Sequence, residues 1–358
     1  MTHPDRRRFL KGGALAAGAA ALSAPALAQA PIEWTMVTSW PKNLPGPGVS
    51  AERIATGIEQ ASDGRMRVHV RAAGEIVPAL GVFDAVAEGT AEMAHTASLF
   101  WAGKARVAPL FTAAPFGLTP LEHITWIDHG GGQALWDKLY EPFGVKPFMA
   151  GNTGFQMGGW YTKEIRSLDD FKGLKIRMPG LGGEVARRLG ATPVSLGAPD
   201  ILPALQSGTI DATEFLGPWS DLAMGFYKVA KNYYWPGFHE PNGTGEGLVS
   251  LSAWAELPDD LKVIVRHVLA VENIRGLGEA EWENARALRA LTEEHGVTLH
   301  RFPDDFLGAA KAASTEVFDD LAGEGGVSAE IIESYRAAIA RLTPWSKVSE
   351  AALLSVRG

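Results

Sequence analysis

Four short stretches carry side chains spaced for chemistry. In "GLKIRMPGLGGEVARRLG" (173–190), Leu174 to Met178 alternates like a strand, Pro179-Gly180 stops it, and a helix begins again at Gly182. Arg177 therefore stands at a strand end beside a glycine-rich turn, held on a rigid element. A guanidinium there presents a planar fork that matches a carboxylate with two parallel, charge-assisted hydrogen bonds. A structural ion pair with an Asp or Glu of a neighbouring lobe would satisfy the same residue, and spacing alone does not separate the two. "AGNTGFQMGG" (150–159) supplies the amides Asn152 and Gln156 on a polar, glycine-rich strand. "IDATEFLGPW" (210–219) ends a strand with Glu214, followed by Phe215 and Trp219, and "SLFWAGK" (98–104) adds Phe100 and Trp101. These aromatics suit the apolar wall of a cleft and suit a core equally.

Motifs for catalysis are incomplete. Counted from Gly180 and Gly182, the third small residue of a dinucleotide fingerprint falls on Val185, and the turn does not open the first βαβ unit. "FHEPNG" (238–243) begins like a zinc-protease motif, but Gly243 stands where the second His is required. No Gly-x-Ser-x-Gly elbow occurs, and the nine histidines are otherwise scattered singly. The chain offers groups for binding and no catalytic constellation.

The elements that must position these groups alternate. Ile32 to Thr38 reads as a first strand, Ser50 caps a helix through Ala61, "RMRVHVRAA" is a second strand, and "ALGVFDAVAEG" a second helix ending at Gly89. "AEMAHTAS" follows as a third strand, so the pattern is a mostly parallel α/β sheet. The unit recurs: "FDAVAEGTAEMAHT" (83–96) aligns with "LPALQSGTIDATEF" (202–215), matching Gly89 to Gly208 and Glu92 to Asp211. Two related lobes follow, and a crevice between lobes is a favoured ligand site. Beyond residue 250 one long helix runs to about Gly296, with Gly276 and Gly278 as positions for a kink; Leu261, Ile264, Val265, Val268 and Leu269 recur at helical spacing. "SAEIIESYRAAIARLTPW" (328–345) is a further amphipathic helix that either folds back on its own lobe or docks on a second subunit.

Residues 1–30 belong to a different object. A basic start with Arg6-Arg7-Arg8-Phe9-Leu10-Lys11, an Ala/Leu/Gly run and Ala-x-Ala endings at Ala28 and Ala30 read as a twin-arginine-like export signal, cleaved on maturation. Its removal takes away four Lys/Arg and one Asp, leaving 29 basic against 40 acidic residues, a net charge of −11. Such a surface repels phosphate backbones, so nucleic acid is excluded as a partner. With no cysteine in 358 residues, disulfides and thiolate metal sites are excluded too.

"LKIRMPG" (174–180), "LPALQSGTIDATEF" (202–215) and "FYKVAKNYYWPGFHEP" (226–241) together resemble the DctP-type solute-binding proteins of tripartite ATP-independent periplasmic (TRAP) transporters, over residues 32–345. The resemblance implies an α/β, two-lobe periplasmic binding protein, each lobe a mixed sheet flanked by helices, with a long helix bridging the lobes. It divides the chain into export signal 1–30, lobe I 31–150, lobe II 151–240, a return segment with the long helix 241–296, and C-terminal helices 297–358 packing on lobe II or on a second subunit. It further implies capture of a small organic carboxylate in the periplasm, without catalysis, and delivery to membrane permease subunits. Arg177 maps to the residue that binds the ligand carboxylate.

One departure narrows the ligand. Many members place Asn after the acid of "D-A-x-E", where this chain has Phe215. That is similar to the subgroup for 2-oxo or 2-hydroxy monocarboxylates, pyruvate-like or lactate-like, in which Gln156, Glu214 and the main-chain carbonyl of residue 215 hold sodium or calcium; Glu240 joins this cation set. The subgroup's usual Trp at 215 is Phe here, which keeps the carbonyl and alters the wall formed with Phe100, Trp101 and Trp219, while Asn152 donates a further hydrogen bond. A cation is also favoured physically, because Glu214 and a bound carboxylate repel in a water-poor cleft unless one neutralises both. Oxygen ligands without Cys suit Na⁺ or Ca²⁺, and one carboxylate favours Na⁺ slightly. The rivals are a dicarboxylate or sugar acid bound without metal, and an exported cofactor-binding enzyme. A homodimer through an exchanged last helix is a further expectation.

Overall fold

In the computed structural model, which describes residues 30–357, the first alternating run folds as β1 (Ile32–Thr38). The export signal lies, Ala30 apart, outside the described residues. A helix α1 (Pro47–Ala61) leads to β2 (Met66–Arg71), and α2 (Val82–Ala87) to β3 (Met93–Thr96). Both β2 and β3 pair parallel to β1. The start of α1 departs from expectation. Gly46 turns the chain with a φ of 82° and Pro47 opens the helix, a position where a missing N–H costs nothing. Ser50 is therefore no cap: it is buried inside the first turn, its Oγ donating to Glu272 Oε1 at 2.7 Å.

After α3 (Pro120–His129) and α4 (Gly132–Tyr140), β4 (Val145–Asn152) closes the first half. The chain then crosses through residues 153–158 to β5 (Gly159–Tyr161) and builds the same unit again: β6 (Lys175–Arg177), α5 (Gly180–Arg188), β7 (Thr192–Val194), α6 (Ala198–Gln206) and β8 (Ala212–Thr213). With α7 (Pro218–Met224) and β9 (Asn232–Trp235) this half is complete, and residues 236–243 cross back to β10 (Thr244–Ser250). The sheets run β2-β1-β3-β10-β4 and β7-β6-β8-β5-β9-β11, the last being Thr298–Arg301. In each, the fourth strand is antiparallel and has arrived from the other half, β10 in one and β5 in the other.

The repeat read from sequence is physical. Gly89 and Gly208 both take left-handed φ, 76° and 72°, where the helix must turn into the strand. The matched acids do matched work: Glu92 accepts the Thr35 N–H at 2.8 Å, and Asp211 accepts the Lys175 N–H at 3.0 Å, each tying the third strand of its unit to the first.

After α8 (Leu251–Glu256), the helix α9 (Asp259–Glu293) runs 35 residues without a break. Leu261, Val265 and Leu269 enter a core with Trp34, Ile54 and Phe148 of the first half; Leu291 enters another with Trp160, Phe215 and Tyr233 of the second. One helix thus spans both lobes. Gly276 does not interrupt it; a Cβ there would lie 3.2 Å from the Asn152 backbone nitrogen, so the glycine lets α9 press onto the end of β4. Then α10 (Asp304–Gly323) packs on α5, and α11 (Gly326–Ser346) on α3 and α4, its Tyr335 hydroxyl accepting the Leu118 N–H at 2.9 Å. A short α12 (Ala352–Arg357) ends the described chain.

Candidate functional site

Both crossings and both strand ends converge on one cleft. It is lined by Arg177, Phe215, Gln156, Glu240, Phe100 and Trp40, among others. The crossings lie on each other so closely that a Cβ on Gly243 would fall 1.9 Å from Thr153 Oγ1 and 2.5 Å from Gln156 Nε2.

Arg177 ends β6 next to Thr213 of β8, which brings Glu214 alongside. Its Nη1 donates to Glu214 Oε1 at 2.5 Å and to the Glu214 carbonyl at 3.1 Å, its Nε to the Leu196 carbonyl at 3.2 Å, and its plane lies 5.7 Å from the Phe215 ring centre. The two readings of Arg177 therefore coexist. The ion pair is real, but its partner belongs to the same sheet, and among the described residues no acceptor meets Nη2, while Arg177 lines the cleft. Arg177 and Glu214 are both buried, where such a pair is electrostatically strong only because each charge is also hydrogen-bonded.

Around Glu214 stand His239 and Glu240 from the second crossing. His239 Nε2 lies 3.2 Å from Glu214 Oε2, and Glu214, His239 and Glu240 each bring a ligand atom within 4.8 Å of the others. Burial and the charge of Glu214 push the Glu240 carboxyl well above the usual carboxylate range, with Arg177 and Gln156 opposing. Gln156 completes the cluster: its Nε2 donates to Thr153 Oγ1, while its buried Oε1 has no partner. An orphaned amide oxygen beside two buried carboxylates fits a hard cation, which would satisfy the oxygen and offset the negative charge.

Other expected residues sit differently. Asn152 lines the cleft, but its Nδ2 donates to Asn242 Oδ1 and Thr244 Oγ1 and its Oδ1 accepts the Gly154 N–H, so no donor is left for a ligand. Trp101 is not a wall: it is buried behind Phe100, its Nε1 donating to Glu246 Oε2 at 2.7 Å. Trp219 is half-buried and outside the lining, because α7 turns it toward Gly46. Phe100 and Phe215 do form walls, joined by Trp40.

Sequence reading missed Trp40, His95 and His239. His95 is the counterpart of Glu214 in the first unit. Its Nδ1 accepts the Trp40 indole N–H at 2.8 Å and its Nε2 faces the Ala150 carbonyl at 2.8 Å, which fixes the tautomer and the wall. Burial pushes the His95 imidazole below its ordinary value, in keeping with a neutral ring. His239 had one signal: the adjacent His-Glu pair of "FHEP", set aside as half a zinc motif. Gly182 admits it, since a Cβ there would lie 2.8 Å from the His239 Cβ.

Two lobes joined by paired crossings around a largely apolar cleft that holds one arginine define a two-lobed solute-binding protein. A model of DctP, bacterial extracellular solute-binding protein family 7, matches residues 38–324, and the chain belongs to that family. A monocarboxylate 2-oxoacid-binding periplasmic protein of Nostoc sp. is 39% identical over 319 residues, 89% of this chain and 87% of its own. A TRAP periplasmic solute-binding protein of Pseudoalteromonas atlantica, solved with bound sodium and pyruvate, superposes with a TM-score of 0.89 at 35% identity, over 91% of this chain and 99% of that one. A TRAP solute-binding protein of Bordetella bronchiseptica, solved as a mixed-occupancy dimer with copurified calcium and picolinate, matches with a TM-score of 0.89 at 34% identity, over 91% and 96%.

Proposed function

We propose that this chain is the periplasmic solute-binding subunit of a TRAP transporter, capturing a small 2-oxo or 2-hydroxy monocarboxylate together with Na⁺ or Ca²⁺ and passing it to a membrane permease. The observation that carries the reading is that Arg177, Gln156 and Glu240 share the lining of one cleft, with the buried Glu214 paired to Arg177 and within 4.8 Å of Glu240. Arg177 binds the carboxylate of the ligand. The cation is held by Gln156, Glu214, Glu240 and the Phe215 carbonyl, and takes the 2-oxo or 2-hydroxy oxygen. Trp40, Phe100 and Phe215 close over the short carbon chain, and the protein carries its ligand unchanged.

Glu214 and the ligand carboxylate against one arginine leave one negative charge, which sodium balances; a divalent ion that also displaces the proton held on Glu240 would face two, which suits calcium. The relatives solved with pyruvate or picolinate, each with a cation, support the ligand class. A periplasmic location accords with the family and with an export signal; among the described residues no helix is long and apolar enough to cross a membrane. Pairing with a second copy through the C-terminal helix draws support from Trp345, Val348, Leu353 and Leu354, all exposed there.

The test is calorimetry of pyruvate, lactate, malate and a uronate, each with sodium, calcium or chelator. Tight binding of the monocarboxylates only when a cation is present is expected. Cation-independent binding of malate or the uronate instead would overturn the reading.

A further inference from the structure

The turn after β8 has an ordered pattern of carbonyls. The Glu214 carbonyl accepts from Arg177 Nη1 and from Thr213 Oγ1 at 2.7 Å, and the Leu216 carbonyl accepts the Met157 N–H at 3.3 Å. Between them, among the described residues, the Phe215 carbonyl takes no hydrogen bond. The N–H of the same peptide unit is held from behind: Leu216 N donates to Asp221 Oδ1 at 3.1 Å. In a planar trans peptide the C=O and N–H point in opposite directions. Anchoring the Leu216 N–H on Asp221 therefore turns the Phe215 oxygen away from α7, while Phe215 and Leu216 both line the cleft.

Asp221 is itself rigidly held. It is fully buried, and its Oδ2 accepts the Trp160 indole N–H at 2.9 Å and the Tyr233 hydroxyl at 2.8 Å. Those two rings come from β5 and β9 and stack with centroids 4.0 Å apart. Two donors from two strands thus fix one carboxylate oxygen, and the other oxygen holds the Leu216 peptide plane.

We propose that Asp221 is a positioning residue for cation binding: through the Leu216 N–H it aims the Phe215 carbonyl into the cleft as a metal ligand. This rests on the cation-dependent reading above. Asp221 never touches cation or carboxylate, so its loss raises the cation requirement and leaves carboxylate affinity at saturating cation intact. A merely structural role would lower both.

The test is calcium titration of the wild type, Asp221→Asn and Asp221→Ala, each with saturating pyruvate, followed by pyruvate titration in saturating calcium. The alanine variant is expected to lose about 10- to 100-fold in calcium affinity, as orienting partners of metal ligands do. The asparagine variant, which keeps an oxygen for the Leu216 N–H, is expected to retain most of it. A folded alanine variant with wild-type calcium affinity, or equal losses for calcium and pyruvate, overturns the inference. A second measurement needs no variant. Labelling Phe with ¹³C at the carbonyl and Leu with ¹⁵N selects the Phe–Leu peptides 9–10, 215–216 and 306–307. Calcium with pyruvate should move the 215–216 signal and leave 306–307 in place; an unmoved 215–216 signal sinks the idea. Wild type that binds pyruvate without any cation defeats the underlying reading, whereas cation-dependent wild type with unaffected variants defeats only the role of Asp221.

Discussion

Arg177 and Glu214 close a buried ion pair at 2.5 Å between the ends of two parallel neighbours, β6 and β8. The pair sets the charge of the cleft and decides how it meets a ligand. Glu214 and the Leu196 carbonyl hold the guanidinium, so its plane is fixed before any ligand enters.

Arg177→Ala is therefore expected to cost about 2–5 kcal/mol of carboxylate binding, as loss of one partner from a buried charge pair does. It also strands Glu214, so unfolding free energy should fall by about 3–5 kcal/mol. Arg177→Lys should rescue stability better than binding, because an ammonium cannot reach Leu196, Glu214 and a ligand in one plane. Calorimetry and urea denaturation check these; wild-type affinity in the alanine variant for every carboxylate tried would refute the role of Arg177.

Glu240→Gln removes one of the two buried carboxylates of the cluster while keeping an oxygen. Calcium affinity should drop by about tenfold or more, with sodium less affected, since the divalent ion depends more on charge count. Competition of the two cations, read by pyruvate affinity, measures it. Parallel losses for both ions would mean that Glu240 contributes shape and not charge.

Glu246 sits fully buried behind the wall, and burial pushes its carboxyl up to about 8 from an ordinary 4.5, with the hydrogen bond from the Trp101 indole N–H opposing. A raised carboxyl binds more protons folded than unfolded, so its contribution is complete below the unfolded value and is lost as pH rises through the folded one. That loss should reach about 3–5 kcal/mol on the alkaline side. Glu246→Gln, which still accepts the Trp101 N–H, should flatten the fall of melting temperature between about pH 5 and 8. An unchanged slope would assign the alkaline limb elsewhere. The acid limb has a different source: burial lowers His123 to about 4, so its contribution is present above 6.5 and lost as pH falls through that lower value.

Gly243→Ala tests the contact of the crossings. A methyl placed 1.9 Å from Thr153 Oγ1 must push the first crossing away, at about 1–3 kcal/mol for overpacking, and shift Gln156 with it. Lower melting temperature together with weakened cation binding is expected. Full cation affinity would show that Gln156 tolerates the displacement.

Trp345→Glu tests the second copy. If the exposed C-terminal helix pairs two chains, light scattering should report a dimer for the wild type and a monomer for the variant, with ligand affinity unchanged. A monomeric wild type ends that proposal.

Much of the frame was written in local order. The strand–turn–helix pattern around Arg177 placed it at a strand end, and the repeated helix–glycine–strand unit announced two matching lobes, because periodicity and glycine turns act over a few residues. Residues whose role depends on distant segments were less legible. Trp40 reaches the cleft beside His95, and His239 reaches Glu214, only because segments distant in sequence are pressed together, and Trp101 and Trp219 leave the lining for the same kind of reason.

The sequence by itself determined the elements, the repeat and the identities of the charged and amide groups available for a ligand. Tertiary structure decided which of those groups remain free. Asn152 spends its amide on Asn242, Thr244 and Gly154, whereas Gln156 keeps a buried oxygen unpaired. No spacing rule distinguishes two amides four residues apart on one segment. Asn242 and Thr244 of the returning segment occupy both N–H groups of Asn152, whereas Gln156 donates only to the nearby Thr153, and only the packing of the returning segment makes that difference.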